Sequence, residues 1–352
     1  MNNISLKSIK YESIKAIFHS ITEAERISRA AISEKTDLSL VTVGKIADAL
    51  LDLNIVSQVK EIKPQAGRRA GILSVNEKKF AMIFDITMYE FRIAVLNLRL
   101  CLVEHVRIPY NKEVSYIDNI RALFSEGCAL INRKYSMDDC FGIGIAVPGP
   151  YNSETDFVNT CRIPELRETR IGSIANEYFR DIPVIIESQI NAAARSNISH
   201  VDGYQNKNML YWYFGSTYIC GAYMVNGELI LGKDQHACDF GRMISRYGAS
   251  LDELIQKCES ADQLADFITR TIYNVILVIN PHTLIMEFDV PFSCDGLFEK
   301  IKSLLISQFN MSEADIPELK GACCRFRNSH RGLTMALRDI WLDRIVFGSS
   351  HN

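Results

Sequence analysis

Apolar positions recur every three to four residues over 6–20, where Leu6, Ile9, Ile14, Ala16, Ile17 and Phe18 fall on roughly one face, and this spacing predicts a first helix. A shorter helix is expected from Ser28 to about Lys35, with Ser28 as N-cap and Ala31 and Ile32 turned inward. Asp37-Leu38-Ser39 then makes a tight turn, and Ser39 caps a third helix to about Asp52 with Val43, Ile46, Leu50 and Leu51 on its apolar side. Two strand-like runs, Ile55–Val59 and Gly71–Val75, follow across a polar stretch containing Pro64 and Gly67. Three helices with a short turn before the third, then two strands, read as a winged helix-turn-helix.

From Lys79 the pattern alternates between strands and helices. Phe80–Ile86, Phe91–Leu98 and Leu100–Pro109 read as consecutive strands, followed by a helix over Ser115–Lys134 and strands at Phe141–Val147 and Ile182–Glu187. Further strands are expected at Met209–Phe214 and Ile219–Val225, with Asn226-Gly227 as a hairpin turn. Ser260 opens a long helix to about Asn280, ahead of Pro281, and a last helix covers Gly332–Phe347. The predicted organisation is a DNA-binding unit over 1–76 with a linker at about 63–78, one body lobe from 79–190 plus about 325–348, and a second lobe over 191–324.

Composition narrows the classes. In 352 residues, 47% of them hydrophobic, no run approaches the roughly 18 apolar residues of a membrane span, and the N-terminus lacks a basic then apolar export pattern. A cytoplasmic location without membrane contact is expected. Ten cysteines without a Cys-x-x-Cys pair fit buried thiols better than a disulfide framework or a zinc site. The chain's net charge of -3 is uneven: residues 1–76 carry eleven Lys and Arg against eight Asp and Glu, so the head is mildly basic on an acidic body.

The third helix supplies the candidate chemistry. Its N-terminal face, Ser39, Leu40, Thr42, Val43 and Lys45, is of the kind that reaches base edges in a major groove, with Arg29 and Lys45 placed for phosphates. Lys60, Lys63, Arg68 and Arg69 belong to the wing and linker, and the flanking Gly67 and Gly71 allow an Arg68-Arg69 approach to a minor groove. A winged helix that contacts protein instead stays open, and steep salt dependence separates the two.

At these residues the chain resembles the regulator branch of the ROK family (repressors, open reading frames and sugar kinases). Ile27–Ile32 through Leu38–Val43 is similar to that branch's helix-turn-helix, and Gly67-Arg68-Arg69 to its linker. Gly142-Ile143-Gly144-Ile145-Ala146-Val147-Pro148-Gly149-Pro150 is similar to its strand and Pro-Gly-Pro loop, and Glu187 with Asn191-Ala192-Ala193-Ala194 to its Glu-Asn-Asp-Ala-Asn-Ala-Ala-Ala segment. The resemblance implies an α/β body with the two-lobed actin-like ATPase and sugar-kinase (ribonuclease H-like) fold, the last helix returning to the first lobe.

Kinase chemistry is not expected from it. The family's catalytic Asp falls at Gln189, an amide that cannot take a proton at neutral pH, and the preceding Asn at Ser188. Thr87-Met88 stands where the first phosphate loop has two glycines, Gly215–Ile219 replaces the second, and Met286–Asp289 replaces the adenosine-side Gly-Gly. The family's zinc set is absent as well, since Arg242 follows Gly241 and 245–254 holds no Cys, so no metal and no cofactor are expected.

By position, the resemblance makes Gly149, Ser188, Gln189, Asn191, Asp239 and Arg242 contacts for an effector, a sugar or sugar phosphate. Arg242 points either to an anionic group on that effector or to a pair with Asp239 across an empty cleft. The expected function is a sequence-specific regulator, read as a repressor of carbohydrate genes, that binds a roughly palindromic operator in double-stranded DNA as a homodimer or homotetramer. The alternatives are a sugar kinase with a DNA-binding head, and a regulator whose body serves only for dimerisation.

Overall fold

The computed structural model describes residues 11–59, 71–87, 90–159, 163–246, 248–323 and 329–347. The head is built from α1 (Tyr11–Glu23), β1 (Ile27–Ser28), α2 (Arg29–Thr36), α3 (Leu40–Asp52), β2 (Val56–Val59) and β3 (Ile72–Val75). Ser28 Oγ accepts from Ala31 N and Ser39 Oγ from Thr42 N, so both expected caps hold their helices. The turn between α2 and α3 closes on Asp37 with φ 55°, a left-handed residue of a type that tolerates it. β3 pairs antiparallel with both β1 and β2, which makes the wing a three-stranded sheet.

The body holds two five-stranded sheets of one design. In the first, β4 (Phe80–Ile86), β5 (Glu90–Asn97) and β6 (Leu102–Pro109) form an antiparallel meander. Across α4 (Tyr116–Lys134), β7 (Cys140–Val147) adds parallel to β4. A small hairpin, β8 (Tyr151–Asn152) with β9 (Phe157–Val158), and two short helices, α5 (Pro164–Arg167) and α6 (Ile171–Tyr178), lead to β10 (Val184–Ser188), parallel to β7.

After α7 (Gln189–Ile198) the second sheet repeats the plan. β11 (Asn208–Gly215), β12 (Ile219–Val225) and β13 (Glu228–Leu229) run antiparallel. The turn into β13 is the expected one, with Asn226 at φ 52° and Gly227 at φ 82°, both left-handed. Beyond α8 (Leu251–Ile255) and α9 (Ala261–Ile279) comes β14 (Thr283–Asp289), parallel to β11, and beyond α10 (Leu297–Phe309) comes β15 (Glu318–Gly321), parallel to β14. The chain then returns through α11 (His330–Phe347), which packs on β7 and on α7.

The near-continuous apolar runs of β4, β7 and β11 follow from this layering, because helices or other elements cover both faces of each sheet. One face of the first sheet packs on α4 and α6 around Phe84, Phe124 and Phe179. Its other face does not end at the body: Ile83, Leu96 and Phe141 share one buried cluster with Leu333 and Leu337 of α11 and with Ile14, Ile17, Phe18 and Val43 of the head. The head is therefore not a bead on a linker, since its first helix is part of the first lobe's core. The expected division between 190 and 191 falls inside α7, which packs on α11 and on both β11 and β12. Among the described residues no helix is long and apolar enough to cross a membrane.

Candidate functional sites

Two sites emerge, one on the head and one between the sheets. On the head, Val43, Ile46, Ala47 and Leu50 are fully buried and set the inner face of α3. This corrects the expectation for Val43: its side chain is spent on the head's core and cannot reach a base. Leu40 and Val41 at the start of the same helix are 59% and 68% exposed, and Lys45 is exposed one turn on. Val41 was missed by the sequence reading, although with 43, 46, 47 and 50 facing inward position 41 falls on the opposite side of the helix. Ser39 and Thr42 are joined through their hydroxyls at 2.9 Å as part of the cap. Arg29 reaches across from α2 to pair with Asp48 at 2.5 Å, which holds its guanidinium against α3. Lys60, Lys63, Arg68 and Arg69 lie outside the described residues.

The second site is a cleft of about 820 Å³ between the two sheets. Gly149, Ser188, Gln189, Asn191, Asp239 and Arg242, drawn from separate parts of the chain, all line it. The topology explains their meeting. Gly149 sits in the loop after β7, Ser188 ends β10, and Gln189 and Asn191 open α7, while Asp239 and Arg242 come from the 3-10 turn that follows β13. Ser188 is the N-cap of α7, its Oγ accepting from Asn191 N at 3.3 Å, so the hydroxyl is part of the helix start.

Gln189 is 8% exposed and its amide nitrogen donates to Asp85 Oδ1 at 2.5 Å and to Ile86 O at 3.3 Å. Asp85, itself 6% exposed, has Arg92 at 3.6 Å on its other oxygen, and Arg92 continues to Glu90 at 2.6 Å, which Arg107 also approaches at 3.2 Å. Gln189 is thus a hydrogen-bond donor locked onto a buried carboxylate. Across the cleft Arg242, exposed, pairs with the half-buried Asp239 at 3.6 Å, a contact worth little in water. Tyr213 donates to Asp289 Oδ2 at 3.0 Å and packs on Tyr218, giving the second lobe an aromatic wall. Burial, reinforced by Asp289, lifts the Tyr213 hydroxyl far above its ordinary pKa, so it stays a donor.

The loop carrying Gln235 to Arg242 is wound tightly: Asp234, Gln235 and Cys238 all have φ between 55° and 65°, a region that side chains with a Cβ enter at a cost. It faces β8 of the first lobe. Among the described residues no three His, Cys, Asp or Glu side chains are grouped to hold a metal.

At the N-terminal end of α11, His330 is pushed down to about 4 by burial first, then by His105, Arg92 and Arg331. Its folded pKa lies below the unfolded value, so the folded imidazole stays neutral while the unfolded chain takes up a proton. Stability should therefore fall as pH drops through about 6.5 and level off near 4. His330→Gln should reduce the slope of that part of a denaturation-against-pH curve, and an unchanged slope would refute the assignment.

No family model matches the chain. The xylose repressor of Bacillus spizizenii is 26% identical over 242 residues, 67% of this chain and 61% of the repressor. That of Bacillus subtilis is 24% identical over 242 residues, with the same shares. The chain spans about three fifths of the length of the curated relatives it matches. A crystal structure described as a ROK family transcriptional regulator, homolog of the E. coli MLC protein, superposes with a TM-score of 0.68 at 15% identity, covering 98% of this chain and 99% of that one.

In sequence the chain is similar to xylose repressors, and in fold to solved structures described as ROK proteins. A ROK hexokinase from Thermus thermophilus superposes with a TM-score of 0.56 at 19% identity, and three quarters of this chain, 75%, accounts for 98% of it. The regulator structure is matched over 98% of this chain and the hexokinase over 75% of it, so the hexokinase's fold accounts for only part of the chain. The named sequence relatives are repressors.

Proposed function

We propose that this chain is a sequence-specific DNA-binding regulator of carbohydrate-related genes, a repressor by analogy with the xylose repressors it resembles. The start of α3 carries the reading. Leu40 and Val41 stand out into water beside Lys45 on a helix whose other face is filled, and exposing two adjacent large apolar groups is unfavourable unless a partner such as thymine methyls covers them. In this reading Leu40, Val41 and Thr42 contact base edges, Ser39 and Lys45 contact phosphates, and Arg29 joins them when it leaves Asp48. Lys60, Arg68 and Arg69 add backbone contacts from the wing. Two copies, associating through their bodies, occupy the half-sites of a roughly palindromic operator in the cytoplasm.

The body is proposed to bind rather than phosphorylate. Gln189 cannot accept a proton from a sugar hydroxyl, and its amide is engaged by Asp85 and Ile86. Gly149, Ser188, Gln189, Asn191, Asp239 and Arg242 are the proposed contacts of a sugar-like effector, which alters DNA affinity only by binding the two arrangements of the protein unequally.

Fluorescence anisotropy against tiled duplexes from the DNA flanking the gene, titrated with salt, tests the first part. Tight binding to one tile with a steep loss in salt is expected, and equally weak binding to every tile would sink the reading. A coupled ATP-turnover assay across hexoses tests the second. Hexose-dependent ATP consumption would restore the kinase.

A further inference from the structure

Two features of α11 and one of α7 lie between the cleft and the head. Near the N-terminus of α11 Gly332 lies so close to Ala192 of α7 that a Cβ there would overlap the Ala192 carbonyl oxygen, so the two helices meet backbone to backbone. α7 in turn starts in the cleft, where Gln189 is bonded to Asp85 and to Ile86 O. Further along α11, Arg338 is 6% exposed at the junction of body and head. Its Nη1 donates to Leu98 O at 3.1 Å, its Nη2 lies 3.4 Å from His19 Nδ1 of α1, and its guanidinium sits 5.8 Å from the centre of the Phe18 ring.

A guanidinium has five donors and no acceptor, so the imidazole opposite it must accept through Nδ1 and be neutral. The groups facing His19 are Arg338 and Asp339 from α11 and Glu23 and Lys15 from its own helix. Burial, then Arg338, holds its pKa below the ordinary histidine value. A proton on His19 would place two cations side by side in a joint with little access to water.

We propose that Arg338 is the positioning residue through which the state of the cleft reaches the head: the α7–α11 pair moves as one body, and the Arg338–His19 contact fixes α1 to it. Acid opens the same joint by protonating His19. For its consequence in regulation the inference rests on the head being the DNA-binding part, but its test needs no DNA, so the two fail separately.

Hydrogen exchange of the α1 amides in the full chain reads the joint. Gln189→Ala, which frees the N-terminus of α7, should raise α1 exchange roughly fivefold. In an Arg338→Met background it should add nothing. If Gln189→Ala leaves α1 unchanged, or its effect adds fully to that of Arg338→Met, the relay is wrong. Should Arg338→Met fail to fold, His19→Gln decides, since it keeps a neutral acceptor that cannot be protonated. Between about pH 7.5 and about pH 5, exchange corrected for its intrinsic pH dependence should rise more steeply in the wild-type α1 than in the variant. A wild-type curve that is flat, or a His19→Gln curve that rises as steeply, overturns the proposal.

Discussion

Gly332→Ala is expected to cost about 3 kcal/mol, and to lower the melting temperature by several degrees. Helix propensity alone argues the other way, because alanine in place of a helical glycine is favoured by up to about 1 kcal/mol. The clash decides the sign. A Cβ at 332 overlaps the Ala192 carbonyl oxygen, and that atom belongs to the hydrogen-bonded backbone of α7, which has no rotamer to retreat into. The helices must separate, and the separation opens the buried layer containing Ala192, Leu333 and Leu337. Gly321→Ala serves as the control, since a Cβ there meets nothing nearer than the Phe298 ring at 3.9 Å. Chemical denaturation of both should give a large loss for the first and a small change for the second. Equal small changes would mean that the helix contact is looser than the geometry indicates.

That contact also marks the boundary of what the sequence reveals. The head's helices and caps were legible because short-range rules govern them: Ser28 and Ser39 cap where expected, and Asn226-Gly227 turns where expected. Val43 is placed by the sequence both on the apolar side of the third helix and among the base contacts, and the structure keeps only the first. Val43 lies with Ile46, Ala47 and Leu50, and the cluster they join includes α1 and the first lobe. α7 went unpredicted as an element for a related reason. The 189–198 segment is rich in Ala, Asn and Ser and shows little apolar periodicity of its own, because it packs on helix and sheet through small side chains. The cleft residues were placed by resemblance, and no local pattern joins residue 149 to 239. Likewise, nothing in 338 or 19 alone announces that the two meet, since 319 positions separate them and only the return of α11 closes the distance.

Alanine at Leu40 and alanine at Lys45 should weaken operator binding in two distinguishable ways. Lys45 is exposed at the start of α3 and carries a charge with which to meet phosphate, so Lys45→Ala should lower affinity on every duplex alike and reduce the slope of log affinity against log salt by about one. Leu40, 59% exposed, has no charge to contribute, so Leu40→Ala should leave the salt slope unchanged and cost about 1–3 kcal/mol on the preferred duplex only. Each 1.4 kcal/mol is about tenfold in affinity, so the double variant should bind its preferred tile little better than any other. Neither change touches the buried face formed by Val43, Ile46, Ala47 and Leu50, so unaltered unfolding curves should accompany both. Anisotropy titrations at several salt concentrations separate the outcomes. If Leu40→Ala were neutral while Lys45→Ala weakened all tiles, the head would be a non-specific phosphate binder. If both were neutral, α3 would not be the element that enters the groove, and the exposed Leu40–Val41 pair would have to face a protein instead.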